Sequence, residues 1–211
     1  MIDAQRLERV WEARLNISTM GRDALKADKN HYAYEPTPYA CLERLAASGI
    51  ITKNSVVVDY GSGKGRVPIF FAETIGCRCI GVDFDSWMFR KAEQNLASWK
   101  NSSPRASRWH SKKDQVEFYC MEATEFIPEE GDCFFFFNPF PVSVYRHVQK
   151  NILKLNEEEP KQRYLMFYYP EIEYHEALIR EAGVMFYDEI SCMDLFPGEN
   201  ERERIMIFTC A

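Results

Sequence analysis

The order of apolar runs in this chain predicts an α/β protein. The expected form is a three-layer sandwich whose seven-stranded, mostly parallel sheet is covered by helices on both faces, with one antiparallel strand in a C-terminal hairpin. Three observations predict it. β-Branched and aromatic runs alternate with amphipathic segments from residue 55 onward, the signature of repeated strand-helix units. Val56-Val57-Val58 and the aromatic run 134–137 are apolar at every position, as strands buried on both faces are. The last two strand-like runs, 184–190 and 204–209, have no helix between them and therefore pair antiparallel.

At the N-terminus, Leu7, Val10, Trp11 and Leu15 recur at helical spacing and predict an amphipathic helix ahead of the main fold, either a lid or a packing element. Thr37 before Pro38 has the form of an N-cap followed by proline in the first turn, opening a helix that runs to Ser48 with Gly49 as its stop. The strand at 56–58 then leads through a glycine turn to a helix at 67–74. A strand at 77–82, a helix at 86–99 and strands at 115–120 and 134–137 follow. The helix 142–155, the strand 164–169 and the helix 172–182 precede the final hairpin, and Glu157-Glu158-Glu159-Pro160 reads as a solvated loop.

Length and composition fit one domain with a few additions: 211 residues, 46% apolar and 14% aromatic, enough to fill a sizeable core. The net charge of -6 argues against holding long nucleic acids by overall charge. A local exception lies between Lys100 and Lys113, where Arg105, Arg108, His110 and Lys112 interleave with Trp99 and Trp109 without an acid. It reads either as a solvated connector or as a contact for RNA or an acidic protein segment.

Seven cysteines are spread through the predicted elements, with Cys77 and Cys79 on one face of a strand, and a reduced, cytoplasmic setting is expected. No signal-like segment opens the chain and no run of about 18 apolar residues occurs, so no membrane insertion is expected. His31, His110, His147 and His175 are dispersed, so no metal site is expected, and no serine sits in a G-x-S-x-G elbow.

The chemistry concentrates in Asp59-Tyr60-Gly61-Ser62-Gly63-Lys64-Gly65-Arg66, where a buried strand enters three alternating glycines at the start of a helix. Glycines remove the steric wall that side chains would build, and a helix N-terminus offers N–H groups to an anionic ligand group. A phosphate-binding P-loop requires Ser or Thr after the lysine, and here Gly65 follows Lys64. A dinucleotide fingerprint requires GxGxxG, and this turn is GxGxG with an acid two positions ahead.

Asp59, Gly61, Gly63, Gly65 and Arg66 match in register the first motif, D-x-G-x-G-x-G-R, of many class I (Rossmann-like) S-adenosylmethionine-dependent methyltransferases, which the chain resembles from about residue 34 to its end. The resemblance implies a methyltransferase (EC 2.1.1.-) using S-adenosylmethionine, with residues 1–35 as an N-terminal extension or lid and 36–211 as the catalytic domain. It places Asp83, beside Phe84, on the ribose hydroxyls, where a carboxylate can accept two hydrogen bonds. It places Glu122, beside Ala123, at the adenine amine, and it adds Ser62 to the cofactor turn. Thr37 and Tyr39, within Tyr34-Glu35-Pro36-Thr37-Pro38-Tyr39, would reach the methionine end, although a helix cap also accounts for Thr37.

Asn138-Pro139-Phe140 ends the fourth strand and resembles the Asn/Asp-Pro-Pro-aromatic motif of amine-directed methyltransferases. It lacks the second proline, and a strand terminator is the other reading. The resemblance thus implies methyl transfer to an amine nitrogen of a protein or nucleic-acid acceptor, with Asn138 touching both acceptor and cofactor. The alternatives are a small-molecule acceptor, or a catalytically inactive cofactor-binding module.

Overall fold

The computed structural model describes residues 4–22, 33–102, 115–180, 182–198 and 200–210. The basic stretch with Arg105, Arg108, Trp109, His110 and Lys112, together with His31, lies outside them. Period-two alternation along β1 (Val56–Tyr60) sends Val57 and Asp59 to one face of the sheet and Val58 and Tyr60 to the other, and this sets the layers.

β2 (Arg78–Asp83) and β3 (Val116–Cys120) extend the sheet to one side of β1. On the other side lie β4 (Cys133–Phe136), β5 (Tyr164–Tyr168), β6 (Val184–Ser191) and β7 (Arg204–Cys210). The order is β3-β2-β1-β4-β5-β7-β6, and β7 runs antiparallel to both of its neighbours while the others run parallel. The predicted sheet, with its single antiparallel strand in the terminal hairpin, is the observed one. β1 to β5 therefore bring their carboxyl ends to one edge.

Four helices, α1 (Ala4–Leu15), α2 (Tyr39–Ala47), α3 (Arg66–Thr74) and α4 (Ser86–Ser102), cover the Val57 face. α5 (Val142–Glu158) and α6 (Ile172–Arg180) cover the Tyr60 face. There, register aligns Tyr60, Phe136 and Phe167 across three strands. Their rings stack at centroid distances of 5.3 and 4.8 Å and interplanar angles of 4° and 9°. At the far edge β6 exposes Met185, Phe186 and Tyr187, with a bulge between Phe186 and Asp188.

Several expectations change at their edges, each for a local reason. α1 buries Trp11 and Leu15, but Val10 is 53% exposed, and the place beside the apolar stripe is taken by Glu12, only 7% exposed. Thr37 does not cap α2. Pro38 holds the cap position without a side-chain hydrogen bond, and the N–H of Tyr39 donates to Glu8 Oε1 of α1 (2.8 Å). Gly49 follows the helix with φ 79°, the left-handed stop expected of it. α5 runs through Glu157 and Glu158 instead of ending at 155, because the buried guanidinium of Arg163 donates to Asn156 Oδ1 (2.6 Å) and to the carbonyl of Glu159 (2.8 Å), capping the last turn. All seven cysteines are free thiols, and Cys77 Sγ lies 3.6 Å from Cys79 Sγ.

Phe136 is fully buried at the centre of the stack, so Phe136→Ala should destabilise the fold by about 3–5 kcal/mol, read as a shift of the urea midpoint. A cost under about 1 kcal/mol would mean that the stack is not the centre of the core.

Candidate functional site

The parallel strands end around one cleft. It is lined by the turn after β1, the Asp83-Phe84-Asp85 segment after β2, Met121 to Ala123 after β3, residues 137–140 after β4, and the segment Ala33 to Thr37. Of the residues singled out from the sequence, Thr37, Asp59, Gly61, Ser62, Arg66, Asp83, Phe84, Glu122, Ala123, Asn138, Pro139 and Phe140 line it. Gly63 and Gly65 sit behind the surface of the turn, and Tyr39 is fully buried beneath it.

The glycine turn is shaped by what presses on it. Gly61, Gly63 and Gly65 have φ of 77°, 52° and 83°, a region that other residues enter only with strain. A Cβ at Gly61 would stand 2.4 Å from Cβ of Pro139, and one at Gly63 would stand 2.2 Å from the ring of Tyr34. Phe118 of β3 fills the space over both Gly65 and Gly81, where a Cβ would come within 2.5 Å of its ring in each case.

Four backbone donors of this turn are engaged within the protein. The N–H groups of Gly61 and Ser62 donate to the carbonyl of Val82 (2.8 and 3.1 Å), that of Gly65 to the carbonyl of Ser62 (2.9 Å), and that of Gly63 to Asp83 Oδ2 (2.8 Å). Asp83 Oδ1 also accepts from the N–H of Asp85 (2.9 Å). The carboxylate thus ties the turn to the end of β2.

Arg66 lines the cleft yet is only 2% exposed. Nε donates to Thr19 Oγ1 (2.7 Å), Nη1 to Glu8 and to the carbonyl of Thr37 (2.9 Å), and Nη2 to Glu12 Oε1 (3.3 Å). The guanidinium stacks 4.2 Å from the Tyr39 ring centroid. Among the described lining residues, Arg66 is the sole Lys or Arg, against Asp59, Asp83, Asp85, Glu122 and Glu35, the last paired with Arg22. Burial, and after it the Asp83 carboxylate, push the carboxyl of Asp59 well above the usual carboxylate range.

At the other end of the cleft, Asn138 takes φ 40° and its Nδ2 donates to the carbonyl of Tyr169 (2.8 Å), while Oδ1 accepts a long bond from the N–H of Glu171 (3.4 Å). Tyr169 also has positive φ, 51°, and Arg202 braces it by stacking 4.2 Å from its ring and donating to its carbonyl (3.3 Å). Phe140 is buried edge-on to Phe136, and its carbonyl accepts from the hydroxyl of Tyr174.

Sequence reasoning passes over Tyr34, Asp85, Met88, Met121, Phe137 and Val144, all of which line the cleft. Asp85 carries a readable signal, since it caps α4 by accepting from the N–H of Trp87 (2.7 Å). The apolar ones carry none, because a cleft-facing Met or Phe has the periodicity of a core residue. Among the described residues, no group of three His, Cys, Asp or Glu side chains could hold a metal ion, and no helix is long and apolar enough to cross a membrane.

No protein-family model and no curated protein matches the sequence. Solved structures do match in fold. An RNA methyltransferase from Salinibacter ruber, in complex with S-adenosyl-L-homocysteine, superposes with a TM-score of 0.58 at 20% identity over 83% of this chain and 94% of that one. The human methyltransferase 10 domain containing protein reaches 0.62 at 12% identity over 99% and 95%. The Pyrococcus abyssi tRNA (uracil-54, C5)-methyltransferase, also with S-adenosyl-L-homocysteine, reaches 0.57 at 16% identity over 84% of this chain and 40% of that one.

Because Asp59 holds its proton more tightly folded than unfolded, its ionisation works against the fold. Well below the ordinary aspartate pKa of about 4 both states are protonated and Asp59→Asn should leave stability unchanged. As pH rises through the ordinary carboxylate range, the wild type should lose stability relative to the variant, so that Asp59→Asn melts higher at about pH 7. A melting difference that is the same at every pH would remove the buried charge from the account.

Proposed function

We propose that this chain, which has the fold of the class I (Rossmann-like) S-adenosylmethionine-dependent methyltransferases, is such an enzyme and methylates an amine nitrogen of a protein or nucleic-acid acceptor. The observation that carries this reading is the meeting, in one cleft, of a glycine turn pressed open by its neighbours, acids at the ends of β1 and β2 and after β3, and Asn138-Pro139-Phe140 at the end of β4. The donor set suits the cofactor. Asp83 and Glu122 both line the cleft and are the carboxylates assigned to the ribose hydroxyls and the adenine amine, and the excess of acids over cations there favours a ligand bearing a sulfonium and an ammonium group.

S-adenosylmethionine supplies a methyl group that its sulfonium makes electrophilic. The chain's own part is positioning and exclusion of water. Asn138 has its NH2 fixed on the carbonyl of Tyr169, which leaves Oδ1 as the acceptor for a substrate amine, engaged among the described residues by the long bond from the N–H of Glu171. Phe137, Phe140 and Val144 supply apolar walls that keep the acceptor end dry. Thr37 is the hydroxyl from the segment before α2 that lines the cleft, whereas Tyr39 lies behind it.

Calorimetry on the metal-free protein should show binding of S-adenosylhomocysteine and S-adenosylmethionine and none of NAD. Asp83→Ala should weaken that binding by a few kcal/mol at most, each charge-assisted hydrogen bond contributing about 1.5–3 kcal/mol. No heat with either adenosyl ligand, or a preference for NAD, overturns the reading.

Transfer of radiolabelled methyl to lysate fractions of protein, RNA and small molecules identifies the acceptor class. Asn138→Ala should then lower turnover by about 10²-fold while cofactor affinity stays within about twofold. Equal loss of both, or a lowered melting temperature, would mean that the amide merely fastens the end of β4 to that of β5.

A further inference from the structure

Arg66, at the start of α3, would be counted with the ligand-binding residues by its position, but the cation is fully enclosed. Four of its five N–H directions are taken by Thr19, Glu8, the carbonyl of Thr37 and Glu12, and its face by Tyr39. Its carboxylate partners are themselves held. Glu12 accepts from the N–H and the hydroxyl of Thr19 (2.7 and 2.5 Å) and from the hydroxyl of Tyr39 (3.1 Å), and Glu8 accepts from the N–H of Tyr39.

Thr19 is the hub. It is fully buried, and its carbonyl receives the hydroxyl of Tyr34, whose ring lies on Gly63. Neighbouring Ser18 is held on both backbone groups by Asn95, which also donates to the carbonyl of Lys64 (2.9 Å) inside the turn. A turn of three positive-φ glycines has little stiffness of its own. Its fixed shape must come from neighbours, and a preformed shape lowers the ordering cost of binding.

We propose that Glu8, Glu12 and Thr19 are positioning residues of the cofactor site. They hold Arg66, and with it the glycine turn, in the binding shape, so that the N-terminal helix is a working part of the pocket although Glu8, Glu12 and Thr19 do not line it. This rests on the methyltransferase reading, and the test separates the two. Thr19→Val keeps the volume and removes the hydroxyl that joins Glu12 to Arg66, Thr19→Ser keeps the hydroxyl, and Glu12→Gln keeps the shape and removes the charge.

Calorimetry with S-adenosylhomocysteine should show about tenfold weaker binding for Thr19→Val and Glu12→Gln, with Thr19→Ser within about threefold of wild type. Ile152→Val, in the core of the opposite face, should lower the melting temperature without changing affinity. Amide exchange of residues 61–66 in the ligand-free protein reads the clamp without any ligand and should quicken in Thr19→Val but not in Thr19→Ser. Folded Thr19→Val and Glu12→Gln proteins with wild-type affinity and exchange overturn the proposal, as does Ile152→Val weakening binding equally. A wild type that binds no adenosyl ligand, with exchange at the turn still sensitive to Thr19, overturns the methyltransferase reading and reduces the cluster to a support of the turn.

Discussion

Three left-handed glycines within five residues make a chain segment that nothing intrinsic holds in one shape, and much of the surrounding structure meets that constraint. Tyr34, Phe118 and Pro139 come from widely separated parts of the sequence and bear on Gly63, Gly65 and Gly61 in turn. The Asp83 carboxylate takes the N–H of Gly63, so the end of β2 fixes the turn after β1. Parallel register makes this possible: Tyr60 pairs with both Val82 and Phe136, which brings three strand ends level at one edge.

The same edge shows how charge is partitioned. A guanidinium cannot release its proton, so at the depth of Arg66 it requires partners in full, and both of its carboxylate partners come from α1. With that cation neutralised internally, acids predominate among the charged residues that face the cleft. Asp59 is the most enclosed of them, and its burial works against the folded state, a cost of the kind that tends to persist where a ligand relieves it.

Much of this was legible in the sequence because it is local. Alternation of strand and helix, the all-apolar runs and the missing helix before the last strand are properties of neighbouring residues, and each appears in the sheet as read. The cleft residues at strand ends were legible too, since a turn must follow a strand. What escaped is long-range. Val10 and Glu12 compete for the inner side of α1, and hydrophobicity alone favours Val10. The buried cation waiting 54 residues further on decides for Glu12. Likewise Glu8 replaces Thr37 at the start of α2, and Arg163 carries α5 past its apolar pattern. Tyr34 against Gly63 joins positions whose pairing no local pattern announces.

Phe118 lies over Gly65 and Gly81, two glycines from different elements, and this makes substitution at these sites depend on history. Gly81 has no positive φ, and the nearest obstacles to an alanine there are the Phe118 ring at 2.5 Å and Ser62 Oγ at 2.7 Å. Alanine at 81 needs both a smaller residue at 118 and a displaced Ser62 hydroxyl, and once it is in place the return to phenylalanine at 118 is opposed. Positions 81 and 118 therefore form an epistatic pair, in which the effect of one change has no fixed sign until the other is specified, whereas the left-handed backbone at 65 disfavours a side chain whatever stands at 118.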